Sequence, residues 1–85
     1  MWTEEKNRLQ ATFYFIDFSQ AFAFMTEVAL VAEKQCHHPS WSNTWNMVEI
    51  QLTTHDAGNI VTNKDRHLAA AIDAIFDRYK VSLLG

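Results

Sequence analysis

The sequence predicts an α+β fold, a two-layer sandwich in which helices pack on one face of a four-stranded antiparallel sheet. Two observations predict it. Segments with the alternating apolar pattern of strands come in two pairs, and a segment with helical periodicity follows each pair, which gives the order β-β-α-β-β-α. The 85 residues, 48% of them hydrophobic, are enough for one domain only, so we treat residues 1–85 as a single domain.

The N-terminal part is predicted to form a hairpin. Within Arg8–Ile16, apolar side chains occupy every second position, namely Leu9, Ala11, Phe13 and Phe15. A shorter strand around Trp2–Glu5 is expected to precede this segment, and Lys6-Asn7 is the predicted turn between the two strands.

The first helix is predicted to begin at Asp17, with Gln20 as its capping-box partner, and to end near Lys34 or Gln35. One set of apolar residues follows helical spacing: Phe18, Phe22, Met25, Ala29 and Ala32. A second set widens the apolar surface beyond one stripe: Phe24, Val28, Leu30 and Val31. Because a helix that is apolar on more than one face is usually buried on more than one face, a partner subunit is expected.

The second half of the chain is predicted to form two strands and a helix. Pro39 prevents the first helix from continuing. Two strands are predicted at Trp41–Trp45 and Val48–Thr54, with Asn46-Met47 as the turn. After a loop over residues 55–61, Thr62 starts the final helix with Asp65 as a capping-box partner. The predicted buried stripe of this helix is Leu68, Ile72, Ile75, Phe76 and Tyr79.

Composition argues against several functional classes. The net charge is −3, and the seven lysines and arginines are scattered, which argues against direct nucleic-acid binding. No apolar run approaches the roughly 20 residues of a membrane span, and the polar N-terminus is unlike a signal peptide. The single cysteine rules out an internal disulfide. We expect a cytoplasmic protein without membrane contact.

The residues that carry chemistry are histidines. His37 and His38 are adjacent, Pro39 fixes the backbone after them, and His55 directly follows a predicted strand. Loops at the ends of elements are where sites usually lie, and imidazoles donate and accept protons near neutral pH. Glu33 lies one helical turn before His37, so it could orient an imidazole or simply be solvated. His67 is interpreted as a surface residue.

Other chemistries fit these residues less well. Cys36 and the three site histidines are all zinc ligands by type, but three consecutive residues rarely converge on one metal. Nucleophilic catalysis by Cys36 lacks a glycine pattern for an oxyanion hole, and the chain's two glycines do not form a phosphate loop. Trp41 and Trp45 could stack on a flat heterocycle, although packing in the sheet explains them equally well.

The run "AEKQCHHPSWSNTWNMVEIQLTTH", residues 32–55, resembles the pterin-4a-carbinolamine dehydratases, also known as dimerization cofactors of a homeodomain transcription factor. The positions that match the family pattern are Glu33, Lys34, His37, His38, Pro39, Trp45, His55 and Asp65. The upstream "FIDFSQAFAFMTEVALVAEK" also matches, and the similarity extends to about Tyr79. The sequence departs from the family in lacking the segment before the first strand, in Cys36 where Asp is frequent, and in Trp45 where Tyr is frequent.

The resemblance implies a sheet-and-helix fold, a homodimer or homotetramer, and dehydration of 4a-hydroxytetrahydrobiopterin to quinonoid dihydropterin, which recycles the cofactor of aromatic amino-acid hydroxylases. Imidazoles suit both proton transfers of this reaction, so no metal and no cofactor are expected. The expected catalytic residues are His37, His38 and His55. The expected substrate-binding residues are Glu33, His37, His38, Pro39, Thr54, His55, Asp56 and Ala57. The alternative function is a non-enzymatic binding module for a helical partner such as a transcription factor, which would add a nuclear location.

Overall fold

The predicted element order is confirmed. A computed structural model describes the backbone of residues 1–84 and the side chains of residues 1–80. Its elements are β1 (Thr3–Glu5), β2 (Arg8–Tyr14), α1 (Phe18–Gln35), β3 (Ser40–Thr44), β4 (Met47–Leu52) and α2 (Asn63–Leu84). Within the described residues, neither helix is both long and apolar enough to cross a membrane.

The four strands form one antiparallel sheet in the order β1-β2-β4-β3. Its two central strands, β2 and β4, pair apolar residues directly across from one another. The pairs are Leu9 with Leu52, Ala11 with Ile50, and Phe13 with Val48. All six side chains are buried, so one face of the sheet packs against the core, as the alternating pattern predicts.

An aromatic cluster holds both helices against that face. Phe13 lies in β2 and Phe15 follows the end of that strand. Phe24 of α1 and Phe76 of α2 each contact both of these rings, with ring centroids 4.8 to 5.5 Å apart. Full burial of a phenylalanine side chain stabilises a fold by about 1.5–3 kcal/mol, and aromatic pairs add to that. These contacts fix the two-layer arrangement.

The side of α1 that faces the core is not the first set of apolar residues, which begins with Phe18 in the sequence pattern. The buried residues are Ala21, Phe24, Val28 and Ala32. In the first stripe, by contrast, Phe18 and Phe22 are 49% and 56% exposed, and only Ala32 is buried. Both sets recur at helical spacing, so periodicity alone does not choose between them. The helix therefore carries a second apolar side that the side chains of residues 1–80 do not cover.

The hairpin between β3 and β4 was predicted one residue too late. The predicted strand over residues 41–45 lies at Ser40–Thr44, and the one predicted over 48–54 lies at Met47–Leu52. The turn is therefore Trp45-Asn46 rather than Asn46-Met47. The predicted loop over residues 55–61 also contains a single 3₁₀ turn at His55–Ala57.

The physical reason for the shifted turn lies in contacts with the end of β2. The carbonyl of Asn46 accepts from the amide of Phe15, and the Asn46 side chain donates to the carbonyl of Phe15, both at 2.9 Å. Asn43 donates across the turn to the carbonyl of Met47 at 2.9 Å. Trp45 consequently takes the left-handed backbone, with φ of 48°, although asparagine is the residue that tolerates it better.

The other local signals are confirmed. Lys6 and Asn7 both have positive φ, 50° and 64°, as expected for a two-residue hairpin turn. The Asp17 side chain accepts from the amide of Gln20 at 2.8 Å and caps α1. The Asp65 side chain accepts from the amide of Thr62 at 2.9 Å and caps α2.

Candidate active site

Three segments that are distant in the chain meet at one pocket of about 290 Å³. They are the turn after α1, the end of β4 with the 3₁₀ turn that follows it, and the first residues of α2. The lining residues are Cys36, His37, His38, Pro39, Ser40, Thr53, Thr54, His55, Asp56 and Lys64. This pocket, which we call the histidine pocket, contains all three histidines predicted to be functional.

The end of α1 turns His37 into the protein. Cys36 adopts the left-handed conformation, with φ of 54°, and its amide donates to the carbonyl of Glu33 at 3.1 Å. The amide of His37 donates to the carbonyl of Ala32, also at 3.1 Å, which completes a Schellman motif. As a result His37 is 9% exposed, whereas its neighbour His38 is exposed.

A buried carboxylate holds the His37 ring. Nε2 of His37 lies 2.6 Å from Oδ1 of Asp65, which is fully buried at the start of α2. Oδ2 of Asp65 accepts from the Thr54 hydroxyl at 2.7 Å and from the Thr62 amide at 2.9 Å. Because an ionised carboxylate can only accept, Nε2 carries the proton and Nδ1 is the nitrogen left for a ligand.

The Asp65 carboxylate stays ionised despite its burial. Burial raises its pKa, but hydrogen bonds from His37, from the Thr62 amide and from the Thr54 hydroxyl outweigh burial and leave the pKa below its ordinary value. The Thr54 hydroxyl, having donated to Asp65, accepts from the hydroxyl of Thr62 at 2.7 Å. The carboxylate is therefore a fixed acceptor at neutral pH, and the tautomer of His37 is fixed with it.

The other two imidazoles are also held by one nitrogen each. Nε2 of His38 lies 2.8 Å from Oε1 of Glu33, with both side chains exposed. Nδ1 of His55 lies 2.7 Å from Oδ1 of Asn59, in a loop closed by the bridge between Thr54 and Ile60. With oxygen acceptors on these atoms, Nδ1 of His38 and Nε2 of His55 are the nitrogens left for chemistry.

This pocket geometry occurs in a chain that matches a known family over residues 1–75, and the family is described as pterin 4 alpha carbinolamine dehydratase. The chain belongs to this family. A protein of Rhodopseudomonas palustris is 52% identical over 95% of this chain and 81% of its own length. A Synechococcus protein is 54% identical over 87% of this chain and 78% of its own length. Both carry the name "Putative pterin-4-alpha-carbinolamine dehydratase".

Two solved structures share the dehydratase fold. The transcriptional coactivator/pterin dehydratase from Brucella melitensis is 42% identical, with a TM-score of 0.83 over 87% of this chain and 80% of that one. A pterin dehydratase-like protein described as a RuBisCO assembly factor in the alpha-carboxysome is 25% identical, with a TM-score of 0.71. It covers 88% of this chain and 86% of its own. One of these two structural neighbours is thus named for assembly rather than for catalysis.

The structure gathers most of the residues that the dehydratase resemblance indicates, and places the rest nearby. The pocket lining includes His37, His38, Pro39, Thr54, His55 and Asp56. Glu33 does not line the pocket and reaches it only through His38. Ala57 lines an adjoining depression together with Thr54 and Asp56. Trp41 packs against the core, and Trp45 is exposed in its turn, so neither tryptophan lines the histidine pocket.

Sequence reasoning left Asp65 out of the site residues. It interpreted this residue as a helix cap and as part of the family pattern, and the structure shows that the same carboxylate also holds His37. The spacing from Thr62 indicated only the cap, and the family pattern marked the position without giving it a role. Lys64 was also missed, because nothing in its sequence context distinguishes it from a solvated lysine.

A cluster suited to a metal ion is absent from the residues that the structure describes. Among residues 1–80, no three histidine, cysteine, aspartate or glutamate side chains stand together as potential metal ligands. Cys36 lines the pocket as an exposed free thiol. The chemistry that the described residues themselves offer in the histidine pocket is proton transfer by imidazole.

Proposed function

We propose that this chain dehydrates a 4a-hydroxytetrahydropterin to the quinonoid dihydropterin by histidine acid–base catalysis, without a metal or cofactor. The observation that carries the proposal is the arrangement of three imidazoles around one pocket, each held by one nitrogen and free at the other. Family membership supports the reaction class. In this role the protein recycles the cofactor of aromatic amino-acid hydroxylases.

The reaction requires two proton transfers. The hydroxyl on C4a leaves as water after it accepts a proton, and the nitrogen N5 loses its proton as the C4a–N5 double bond forms. The products are the quinonoid dihydropterin and one water, so no electron leaves or enters. A group that donates to the hydroxyl and a group that accepts from N5 are sufficient, and imidazoles perform both roles near neutral pH.

We assign the base to His37 and the acid to His55. The bond to Asp65 selects the tautomer of the neutral His37 ring that has its lone pair on Nδ1, which is the atom that would accept the proton. His55 is exposed and Asn59 holds its Nδ1, so Nε2 is the nitrogen positioned to donate a proton to the leaving hydroxyl. His38 positions the substrate, with Glu33 holding its ring. Pro39, Thr54, Asp56 and Ala57 are assigned to the walls around the pterin.

The test follows the ultraviolet decay of freshly generated 4a-hydroxytetrahydropterin with and without the protein. His37→Ala and His55→Ala are each expected to lower the catalysed rate by roughly 10²–10⁴-fold. Arg66→Gln is the control, because Arg66 is exposed and pairs with Glu4 at 3.0 Å, away from the pocket. Decay at the spontaneous rate with wild-type protein, or full activity in the double histidine variant, would contradict the proposal.

The uncovered side of α1 favours a second candidate function, docking of a partner. Three large apolar side chains on this side are exposed: Phe18 at 49%, Phe22 at 56% and Leu30 at 68%. Exposed apolar patches of this kind usually mark an interaction surface. Self-association into a dimer or tetramer would cover this side, and so would a helical protein partner. The two structural neighbours described above are named for coactivation and for assembly. Wild-type protein that associates but leaves the pterin decay unchanged would favour this candidate over catalysis.

A further inference from the structure

A second pocket lies beside the histidine pocket. The second pocket has a volume of about 530 Å³, and its lining residues are Gln35, His37, Lys64, His67 and Ala70. His37 and Lys64 line both pockets, so the two pockets are adjacent at these side chains. At about 290 Å³, the histidine pocket itself lies at the lower limit of small-molecule sites. A substituent on a ring system bound there must therefore extend beyond the histidine pocket.

Lys64 gives the second pocket one positive charge. Its lining contains one lysine, two imidazoles and an amide, and no carboxylate. Lys64 forms no ion pair with any side chain among residues 1–80. The neighbouring Arg66, by contrast, is paired with Glu4. An ammonium group that borders the pocket without a carboxylate partner is suited to hold an anion.

We propose that the second pocket holds an anionic substituent, a carboxylate or a phosphate, on the pterin bound in the histidine pocket, with Lys64 as the residue that selects it. This inference rests on the proposed function, because it needs a pterin ring beside His37. Asp56 lines the histidine pocket but not the second pocket, so its carboxylate disfavours an anion in the first pocket rather than in the second. The direction of the substituent is therefore toward Gln35 and Lys64.

The test compares three fluorescent pterins: 6-hydroxymethylpterin, its phosphate ester, and pterin-6-carboxylate. Dissociation constants are measured by fluorescence titration at low and high ionic strength. The dissociation constant of the neutral ligand is divided by that of each anionic ligand, and this ratio is compared between proteins. Wild-type protein is expected to bind at least one anionic ligand about two- to fivefold more tightly than the neutral one, as for an exposed ion pair. Salt should reduce that preference.

The variants assign the preference to one side chain. Lys64→Gln is expected to bring the ratio to about one, and Arg66→Gln, an equal loss of charge two residues away, is expected to keep it. A phosphate-only or carboxylate-only preference identifies which anion is selected, and either supports the inference. Equal affinities in wild-type protein, or a preference that survives Lys64→Gln, would overturn it. Failure of all three ligands to bind would also overturn the inference, whereas the dehydratase proposal is decided separately by the ultraviolet decay of 4a-hydroxytetrahydropterin.

Discussion

Nε2 of His37 lies 2.6 Å from Oδ1 of Asp65, although 28 residues separate the two in the chain. This bond joins the turn after α1 to the first turn of α2. The other oxygen of the same carboxylate accepts from the Thr62 amide and caps the helix. One buried side chain thus starts a helix and fixes the tautomer of a histidine in the pocket, so its replacement tests both roles.

Asp65→Asn is expected to lower the kcat of the dehydration by about 10²-fold, because an amide that donates toward His37 reverses the ring tautomer and protonates Nδ1. The KM should change little, since Asp65 is buried behind the ring and lies outside the pocket lining. Asp73→Asn is the control, as Asp73 lies in the same helix and accepts from the indole of Trp2 at 2.9 Å. Steady-state kinetics with a circular dichroism melt separates this positioning role from loss of fold. An unchanged kcat would contradict it.

The stability of the protein should fall in acid. The pKa of Asp65 is lowered in the folded state, so its stabilising contribution is full above the unfolded value of about 3.9 and disappears as the pH falls through the folded value. The pKa of Glu27 is also lowered, chiefly by the hydrogen bond from the Tyr79 hydroxyl, which outweighs burial, with help from Arg78. Urea unfolding below about pH 5 should show stability rising with pH, and less steeply in Asp65→Asn. Equal slopes in both proteins would disprove the assignment to Asp65.

Cys36→Gly is expected to stabilise the fold by about 0.5–1 kcal/mol, because Cys36 ends α1 at φ of 54°, where a side chain is disfavoured and glycine is not. Cys36→Ala keeps the backbone cost and removes only the exposed thiol, so it serves as the matched control. Chemical denaturation of the two variants and wild type measures the difference. Stabilisation by alanine equal to that by glycine would show that the thiol, and not the backbone, is responsible.

Phe22→Gln is expected to weaken self-association if the uncovered side of α1 forms the interface between copies of this chain. Phe22 is 56% exposed, so its replacement should leave the fold within about 0.5 kcal/mol of wild-type stability. Ala74→Gln, at an exposed position on α2 and therefore outside that side of α1, is the control. Light scattering across a concentration series reports the mass. An unchanged oligomer in Phe22→Gln would place the interface elsewhere.

The sequence by itself determined the local features. Alternation fixed the two central strands, the Lys6-Asn7 pair fixed the first turn, and capping residues at Asp17 and Thr62 fixed where both helices begin. Each of these signals acts between residues a few positions apart, which is why sequence reasoning finds them. The three histidines of the pocket were likewise evident, because residue type and their place at element ends indicated them.

Only the tertiary structure decided which of several locally equivalent choices is adopted. Two stripes on α1 have helical spacing, and contacts with the Phe13 and Phe15 rings determine which one is buried. The turn falls at Trp45-Asn46 because Asn46 bonds to Phe15, 31 residues away. Asp65 likewise bonds to His37 only because the fold brings together two segments that are 28 residues apart in the chain. These outcomes depend on the free energy of contacts between distant segments, which no local pattern encodes.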